Sequence, residues 1–250
     1  MENESALLRP GERIDDLQRG GLRILQRADG FRFGTDAVLL ADFCAAKPGE
    51  RVCDMGTGTG VLPLLIAARA EGTAFDAFES QADVADMAAR SVRLNGLETR
   101  IRVHASDCRD ATRVIGHGVC DLVVTNPPYT AQGAGLVSPR KAQAISRSGG
   151  DCTLSEWMAA CARVLRNGGR LCAVFPAARF LQLCDAMRES RVEPKRVRFT
   201  AAHADAAPKL ALVEGKKGGR PGLHLLPLLI THEKDGAPSE ELRHIYGEES

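Results

Sequence analysis

The stretch Asp121-Leu-Val-Val-Thr-Asn126-Pro127-Pro128-Tyr129 carries the most specific chemistry in the chain. Each proline biases the residue before it toward an extended conformation, so Asn126 and Pro127 are held straight with their carbonyl groups fixed in direction. Proline brings no N–H, so Pro127 and Pro128 contribute acceptors only. The Asn126 side-chain oxygen and a main-chain carbonyl can therefore face one incoming NH2 group, and the Tyr129 ring offers a flat surface for a planar amide or base, a contact worth about 1–3 kcal/mol. That arrangement suits a planar nitrogen whose lone pair is delocalised. Drawing its hydrogens toward two oxygens favours the pyramidal, positive nitrogen formed when it attacks a methyl group, which stabilises charge where it develops. No general base is needed, because the proton turns acidic only after attack and then leaves to solvent. What remains is alignment of the reacting atoms. Taken alone, the four residues could also be no more than a strand-ending turn.

A second motif lies upstream. Val52-Cys53-Asp54-Met55-Gly56-Thr57-Gly58-Thr59-Gly60 sets an acid and three alternating glycines where a strand meets a helix. Alternating glycine removes side chains where backbone must approach a ligand, and the helix start offers free N–H groups. The pattern is not the G-x-G-x-x-G of dinucleotide enzymes, and an acid ahead of closely spaced glycines suits a ligand with a cationic amino group. Glu79 follows Gly60 by nineteen residues, close to the ~20-residue offset at which an acid grips a ribose diol. His104-Ala105-Ser106-Asp107 then ends a further strand with a carboxylate able to accept from an adenine amino group. Singly, Asp54 and Asp107 could be helix caps and Glu79 a solvated charge. Together, at the carboxyl ends of consecutive strands, they mark where open α/β sheets bind ligands.

The positioning elements follow from periodicity. From about residue 50, short apolar runs alternate with helical patterns, the signature of stacked βαβ units around a mainly parallel sheet. Strands are expected near 51–55, 74–78, 100–104, 120–125, 170–175, 196–201, 208–214 and 223–231, and helices over 60–71, 81–95, 153–166 and 177–190. Pro208, Gly215 and Pro221-Gly222 punctuate the last third, where an antiparallel pair is expected to close the sheet. Residues 1–49 form an extension ahead of the 50–250 domain. In it, Leu22, Ile24 and Gln26 face Phe31 and Phe33 across Ala28-Asp29-Gly30 as a hairpin, and Thr35 or Asp36 caps the apolar helix 37–43. Residues 130–150, weakly periodic with Gly and Ser, read as a mobile loop.

Composition sets the class. The chain has 250 residues, 44% hydrophobic and 26% charged, which excludes a fibre or a disordered tail. No apolar run approaches the ~20 residues that cross a bilayer, and the start lacks a signal peptide's basic and apolar regions, so a cytoplasmic protein without membrane contact is expected. The eight cysteines contain no C-x-x-C pair and read as reduced core thiols, with no metal site.

With these motifs the chain resembles the class I S-adenosylmethionine-dependent methyltransferases over residues 50 to about 232, within the subgroup marked by Asn126 to Tyr129. The resemblance implies a Rossmann-like α/β fold with a seven-stranded, mostly parallel sheet and an antiparallel last strand. It implies S-adenosylmethionine as cofactor, with Asp54, Gly56, Thr57, Gly58 and Gly60 on its methionine part, Glu79 on the ribose and Ser106-Asp107 on the adenine. Asn126, Pro127, Pro128 and Tyr129 would receive the acceptor nitrogen beside the methyl group, with Asn126 also touching the cofactor. Three relatives compete: adenine-N6 methyltransferases of tRNA, guanine-N2 methyltransferases of ribosomal RNA and glutamine-N5 methyltransferases of release factors. The short prefix does not look like the helical domain of the release-factor enzymes. Phe31-Arg-Phe-Gly-Thr-Asp36-Ala-Val-Leu-Leu-Ala41, Glu214-Gly-Lys-Lys-Gly-Gly219, Leu226-Pro-Leu-Leu-Ile230 and Ile245-Tyr246-Gly247 are similar to the bacterial tRNA(Val) adenine-N6 methyltransferase family. A non-catalytic RNA-binding module that keeps cofactor binding is the reading from another class.

Net charge is only +1, but residues 195–220 hold seven Lys and Arg against Asp205 and Glu214. The prefix from Arg9 to Arg32 adds six Arg against four acids, and Arg140 and Lys141 lie just past the Pro-Pro turn. Lys216-Lys217-Gly-Gly-Arg220 is the best single phosphate patch, with tRNA the expected partner and ordinary solvated charge the alternative. At 4% aromatic residues, the chain is expected to handle one flipped-out base, between Tyr129 and Phe33. A monomer is the default expectation.

Overall fold

The computed structural model describes residues 6–28, 34–128 and 152–247. Strands β1 (Glu12–Asp16) and β2 (Arg23–Arg27) pair antiparallel, Ile14 opposite Leu25. The hairpin thus joins residues 22–26 to the segment before them, not to residues 31–33 after them. The reversal falls at Gly20 and Gly21, whose φ of +56° and +69° suits a residue without Cβ, and residues 29–33 lie outside the described residues. The hairpin is bolted to a helix of the sheet. Leu25 N–H donates to Ser91 Oγ, and Asn95 both accepts from Arg23 N–H and donates to its carbonyl. Arg90 joins Glu12 in a largely buried ion pair.

Helix α1 (Thr35–Phe43) leads into the sheet, with Gly34 in place of the expected polar cap. Then come β3 (Arg51–Met55), α2 (Val61–Arg69), β4 (Ala74–Glu79), α3 (Ala82–Leu94), β5 (Ile101–Ala105), α4 (Ala111–Ile115), β6 (Cys120–Thr125), α5 (Leu154–Val164) and β7 (Leu165–Pro176). They are followed by α6 (Phe180–Glu189), β8 (Val192–Ala201), β9 (Leu210–Lys217), β10 (His224–Leu225), β11 (Leu229–Ile230) and α7 (Glu240–Tyr246). The main order is β8-β9-β7-β6-β3-β4-β5, parallel except for β9, which runs antiparallel to β7 and β8. This is the expected seven-stranded arrangement, enlarged at one edge. The eighth expected strand, 223–231, splits into β10 and β11, both parallel to β8, because Pro227 between them cannot donate to a ladder.

Both faces of the sheet are covered, which is why its strands read as continuous apolar runs. Val52, Leu122, Val124 and Val174 pack with α1 and α2 on one face, and Cys53, Met55, Val123 and Phe175 with α5 and α6 on the other. All eight cysteines are buried and free. No helix among the described residues is long and apolar enough to cross a membrane.

Candidate active site

The chain leaves β3 for β4 and β5 on one side, then returns to lay β6 on the other, so the crevice opens at the carboxyl ends of β3 and β6. Met55 lies opposite both Phe78 and Thr125, and Glu79 opposite Ala105. Gly56 and Asn126 therefore leave neighbouring strands at about 5 Å spacing.

The glycine turn is strapped to the next strand. Gly56 and Thr57 N–H donate to Phe78 O at 2.9 and 2.8 Å, and Gly58 N–H donates to Glu79 Oε2 at 3.1 Å. Two of the glycines are required for different reasons. Gly56 has φ +78°, and a Cβ there would meet the Trp157 ring at 3.0 Å. Gly58 has φ +57°, but a Cβ there would meet nothing within 4 Å, so its surface faces open space where a ligand can lie against backbone.

Beneath this turn Asp54 is fully buried, and neither of its carboxylate oxygens, nor the Thr57 hydroxyl, makes a hydrogen bond of ordinary geometry. Burial pushes the Asp54 carboxyl up to about 7; the Thr57 hydroxyl beside it works against this and the Glu79 charge adds to it. A buried, unpartnered carboxylate is costly. It fits a ligand that brings a cationic amino group to it.

Glu79 is buried too, and it already braces the turn: besides Gly58 it accepts from Gln81 N–H at 2.9 Å. Ser106 lies beside it, its N–H donating to Glu79 O at 2.9 Å. Asp107 has a different occupation from the one expected. It accepts from Arg109 N–H at 2.8 Å and pairs with the Arg109 guanidinium, which holds its carboxyl below the usual range. An adenine amino group would have to share these oxygens with Arg109.

The proline motif leaves β6 anchored at both ends of its first turn. Thr125 Oγ1 donates to Met55 O at 2.8 Å and accepts from Trp157 Nε1 at 2.9 Å. Asn126 Nδ2 donates to Asp36 Oδ2 at 2.9 Å, with Pro127 buried and Pro128 half-buried behind it. Trp157, Thr125 and Asp36 escaped the reading of the motifs. The helix expected over 153–166, whose start the capping box Thr153–Glu156 fixes, already places the lone tryptophan one turn into a helix, but nothing in the sequence says which strand it faces.

The profile of the family described as Methyltransferase small domain matches residues 28–199. The chain belongs to this family. Among similar proteins, the tRNA1(Val) (adenine(37)-N6)-methyltransferase of Tolumonas auensis is 32% identical over 174 residues, covering 66% of this chain and 71% of the relative. The enzyme of that name from Aeromonas salmonicida is 32% identical over 148 residues, covering 59% of this chain and 60% of its own length. A crystal structure described as a predicted O-methyltransferase from Agrobacterium tumefaciens superposes with a TM-score of 0.70 at 23% identity, over 85% of this chain and 96% of that one.

In this member of the methyltransferase small domain family, the structure brings Asp54, Gly56, Thr57, Gly58, Gly60, Glu79, Ser106, Asp107, Asn126, Pro127 and Pro128 to one edge of the sheet. Phe33, Tyr129, Arg140 and Lys141, with the expected loop over 130–150, lie outside the described residues. The basic patch lies elsewhere. Because β9 is antiparallel, it runs away from the carboxyl ends of the parallel strands: Lys216 stands level with Arg170 and Leu122, about 10 Å along the strands and two strands across from Thr125, and the rest of Lys216-Lys217-Gly-Gly-Arg220 lies farther still. Lys217 does not face solvent phosphates: its ammonium donates to Ala162 O and Leu165 O, both at 2.7 Å. Much of the counted positive charge is spent within the chain, Arg196 on Glu214, Arg198 on Glu241 and Arg9 on Asp86. Lys216 and Arg220 remain exposed.

Proposed function

We propose that this protein transfers a methyl group from S-adenosylmethionine to the exocyclic N6 amino group of an adenine in tRNA. Its relatives' names point to adenine-37 of a valine tRNA as the first acceptor to try. The observation that carries the reading is the register of β3 with β6, which sets the Asn126-Pro127-Pro128 acceptors beside the glycine turn and the unpartnered Asp54.

Bound over that turn, S-adenosylmethionine supplies an electrophilic methyl group on a sulfonium. Asp54 would meet its amino group, the open face of Gly58 would admit its chain, and Glu79 with Ser106 and Asp107 would hold the nucleoside part. Asn126 Oδ1 and a main-chain carbonyl of the Pro127-Pro128 turn accept from the adenine NH2, and Tyr129 with Phe33 stacks the base. Those two oxygens would stabilise the charge gathering on the adenine nitrogen as it takes the methyl group, until its proton leaves to solvent. Water exclusion and alignment supply the rest of the acceleration.

Residues 50–250 form the catalytic unit of this reading and residues 1–49 its extension, working as a monomer in the cytoplasm. Arg140 and Lys141 would hold phosphates close to the reacting base. Lys216 and Arg220, at the far end of the sheet, would reach a more distant part of a tRNA. The test is incubation with methyl-labelled donor and bulk tRNA, followed by nuclease or protease digestion. Label recovered as N6-methyladenine supports the reading. Label in N2-methylguanine or in protease-released glutamine replaces it with one of the competing activities, and donor binding with no transfer makes the protein a non-catalytic module.

A further inference from the structure

We infer that Asp36, in the extension ahead of the glycine turn, is the positioning residue that aims the Asn126 amide at the acceptor nitrogen. The inference rests on the methyltransferase reading above and assigns a task to a residue which that reading leaves idle.

A side-chain amide can present either its oxygen or its NH2 to a substrate, and the two faces have opposite consequences for an incoming amine. An NH2 facing another NH2 repels; a carbonyl oxygen accepts. A carboxylate accepts only. Asp36 Oδ2, 2.9 Å from Asn126 Nδ2, therefore commits the NH2 end of Asn126 to α1 and turns its oxygen to the other side. The same contact is charge-assisted, and it polarises the amide so that its oxygen carries more negative charge when the acceptor nitrogen becomes positive.

Asp36 is itself held. It lies in the first turn of α1, whose Ala37, Val38, Leu39, Leu40 and Phe43 are buried, and its Oδ1 accepts from Ala37 N–H at 3.0 Å. Gly34 gives the carboxylate its room: a Cβ at that position would overlap Asp36 Oδ1. The absence of a side chain two residues before the acid thus has a local cause. Ninety residues separate Asp36 from Asn126, so the extension completes the site instead of merely decorating the sheet.

The experiment measures single-turnover methyl transfer at saturating donor, with whichever acceptor the wild-type protein labels, alongside the dissociation constants for donor and acceptor. Asp36→Ala is expected to lower the rate by about 10²-fold while both dissociation constants stay within twofold, because only the aim of one acceptor is lost. Asp36→Asn keeps a neutral oxygen for the contact and loses roughly tenfold. Gly34→Ala, which pushes the carboxylate aside without removing it, is expected to lose at least about tenfold, and it decides the matter if Asp36→Ala does not fold. Because Asp36 acts through Asn126, adding Asp36→Ala to Asn126→Ala is expected to cost less than threefold more. An Asp36→Ala or Gly34→Ala rate within threefold of wild type, a matching loss of donor affinity, or fully multiplicative losses in the double variant overturns the inference. A wild-type protein that labels guanine or protein overturns the adenine reading while leaving the Asp36 comparison intact, and one that labels nothing overturns both.

Discussion

Trp157 Nε1 donates to Thr125 Oγ1, which donates in turn to Met55 O, so one indole links α5 to the last residues of both strands that flank the crevice. The same ring lies under Gly56. A single side chain thereby touches the glycine turn and braces the strand end that leads into the proline motif.

Trp157→Phe keeps a ring beneath Gly56 but leaves the buried Thr125 hydroxyl without its donor. We expect a loss of about 1–3 kcal/mol in denaturant unfolding, with slower methyl transfer. Since Trp157 is the only tryptophan, its emission in the wild-type protein is expected to change on donor binding. An emission spectrum blind to saturating donor would place the ligand away from Gly56.

The glycines separate stability from binding. Gly56→Ala meets both a left-handed backbone and the Trp157 ring, and is expected to destabilise the protein by more than the ~1–2 kcal/mol of backbone strain alone. Gly58→Ala bears only that strain, yet puts a methyl into the open face, so donor affinity is expected to fall at least tenfold. Calorimetric melting and donor titration of the two variants should give opposite rankings. Equal donor affinity in Gly58→Ala and wild type would contradict the cradle.

Asp54 ties binding to pH. Its carboxyl is raised from 3.8 to about 7 by burial, so between those values the folded chain holds a proton that the unfolded chain has released. The associated stability is full below 3.8 and lost as pH rises through about 7. Donor binding runs the other way, weakening below about pH 7 as the carboxylate is protonated. Asp54→Asn is expected to bind donor at least tenfold more weakly. At pH 8 without donor it should melt higher than wild type, each 1 kcal/mol appearing as roughly 2–4 °C. Melting curves at pH 5.5 and 8 check this, and a lower melting point for the variant at pH 8 would rule out the ionised orphan.

Asn126→Ala removes an acceptor used as charge develops. Turnover is expected to fall by about 10²–10³-fold with donor affinity within twofold. A tenfold loss of donor binding instead would move Asn126 from the acceptor side of the crevice to the cofactor side.

The two neighbouring lysines should behave differently. Lys217→Met strips two carbonyls at the end of α5 of their cationic donor and is expected to cost about 1–2 kcal/mol of stability with little change in RNA affinity. Lys216→Glu with Arg220→Glu is expected to leave melting unchanged and to flatten the salt dependence of tRNA binding. Filter binding across salt concentrations measures it, and an unaltered slope would remove this end of the sheet from the RNA surface.

Much of this was legible in the linear chain. Val52 and Cys53, adjacent and both apolar, already implied a strand covered on two faces, and the spacing from Asp54 through Gly60 to Glu79 implied a turn followed by a brace, because period and offset are local properties of backbone. Glycines, prolines and the order of strands and helices act over a few residues, where chirality and hydrogen-bond geometry leave few options. Other matters depended on which surfaces meet. One partner of Asn126 lies ninety residues upstream, one of Thr125 in a later helix, and the reversed direction of β9 carried Lys217 away from the carboxyl ends of the parallel strands and into a helix end. The hairpin's pairing was settled in the same way, by Gly20-Gly21 and the docking of β2 on α3. Charge counted along a chain cannot tell a phosphate-facing lysine from one that caps carbonyls, since that difference arises only when the sheet closes and burial chooses the partner.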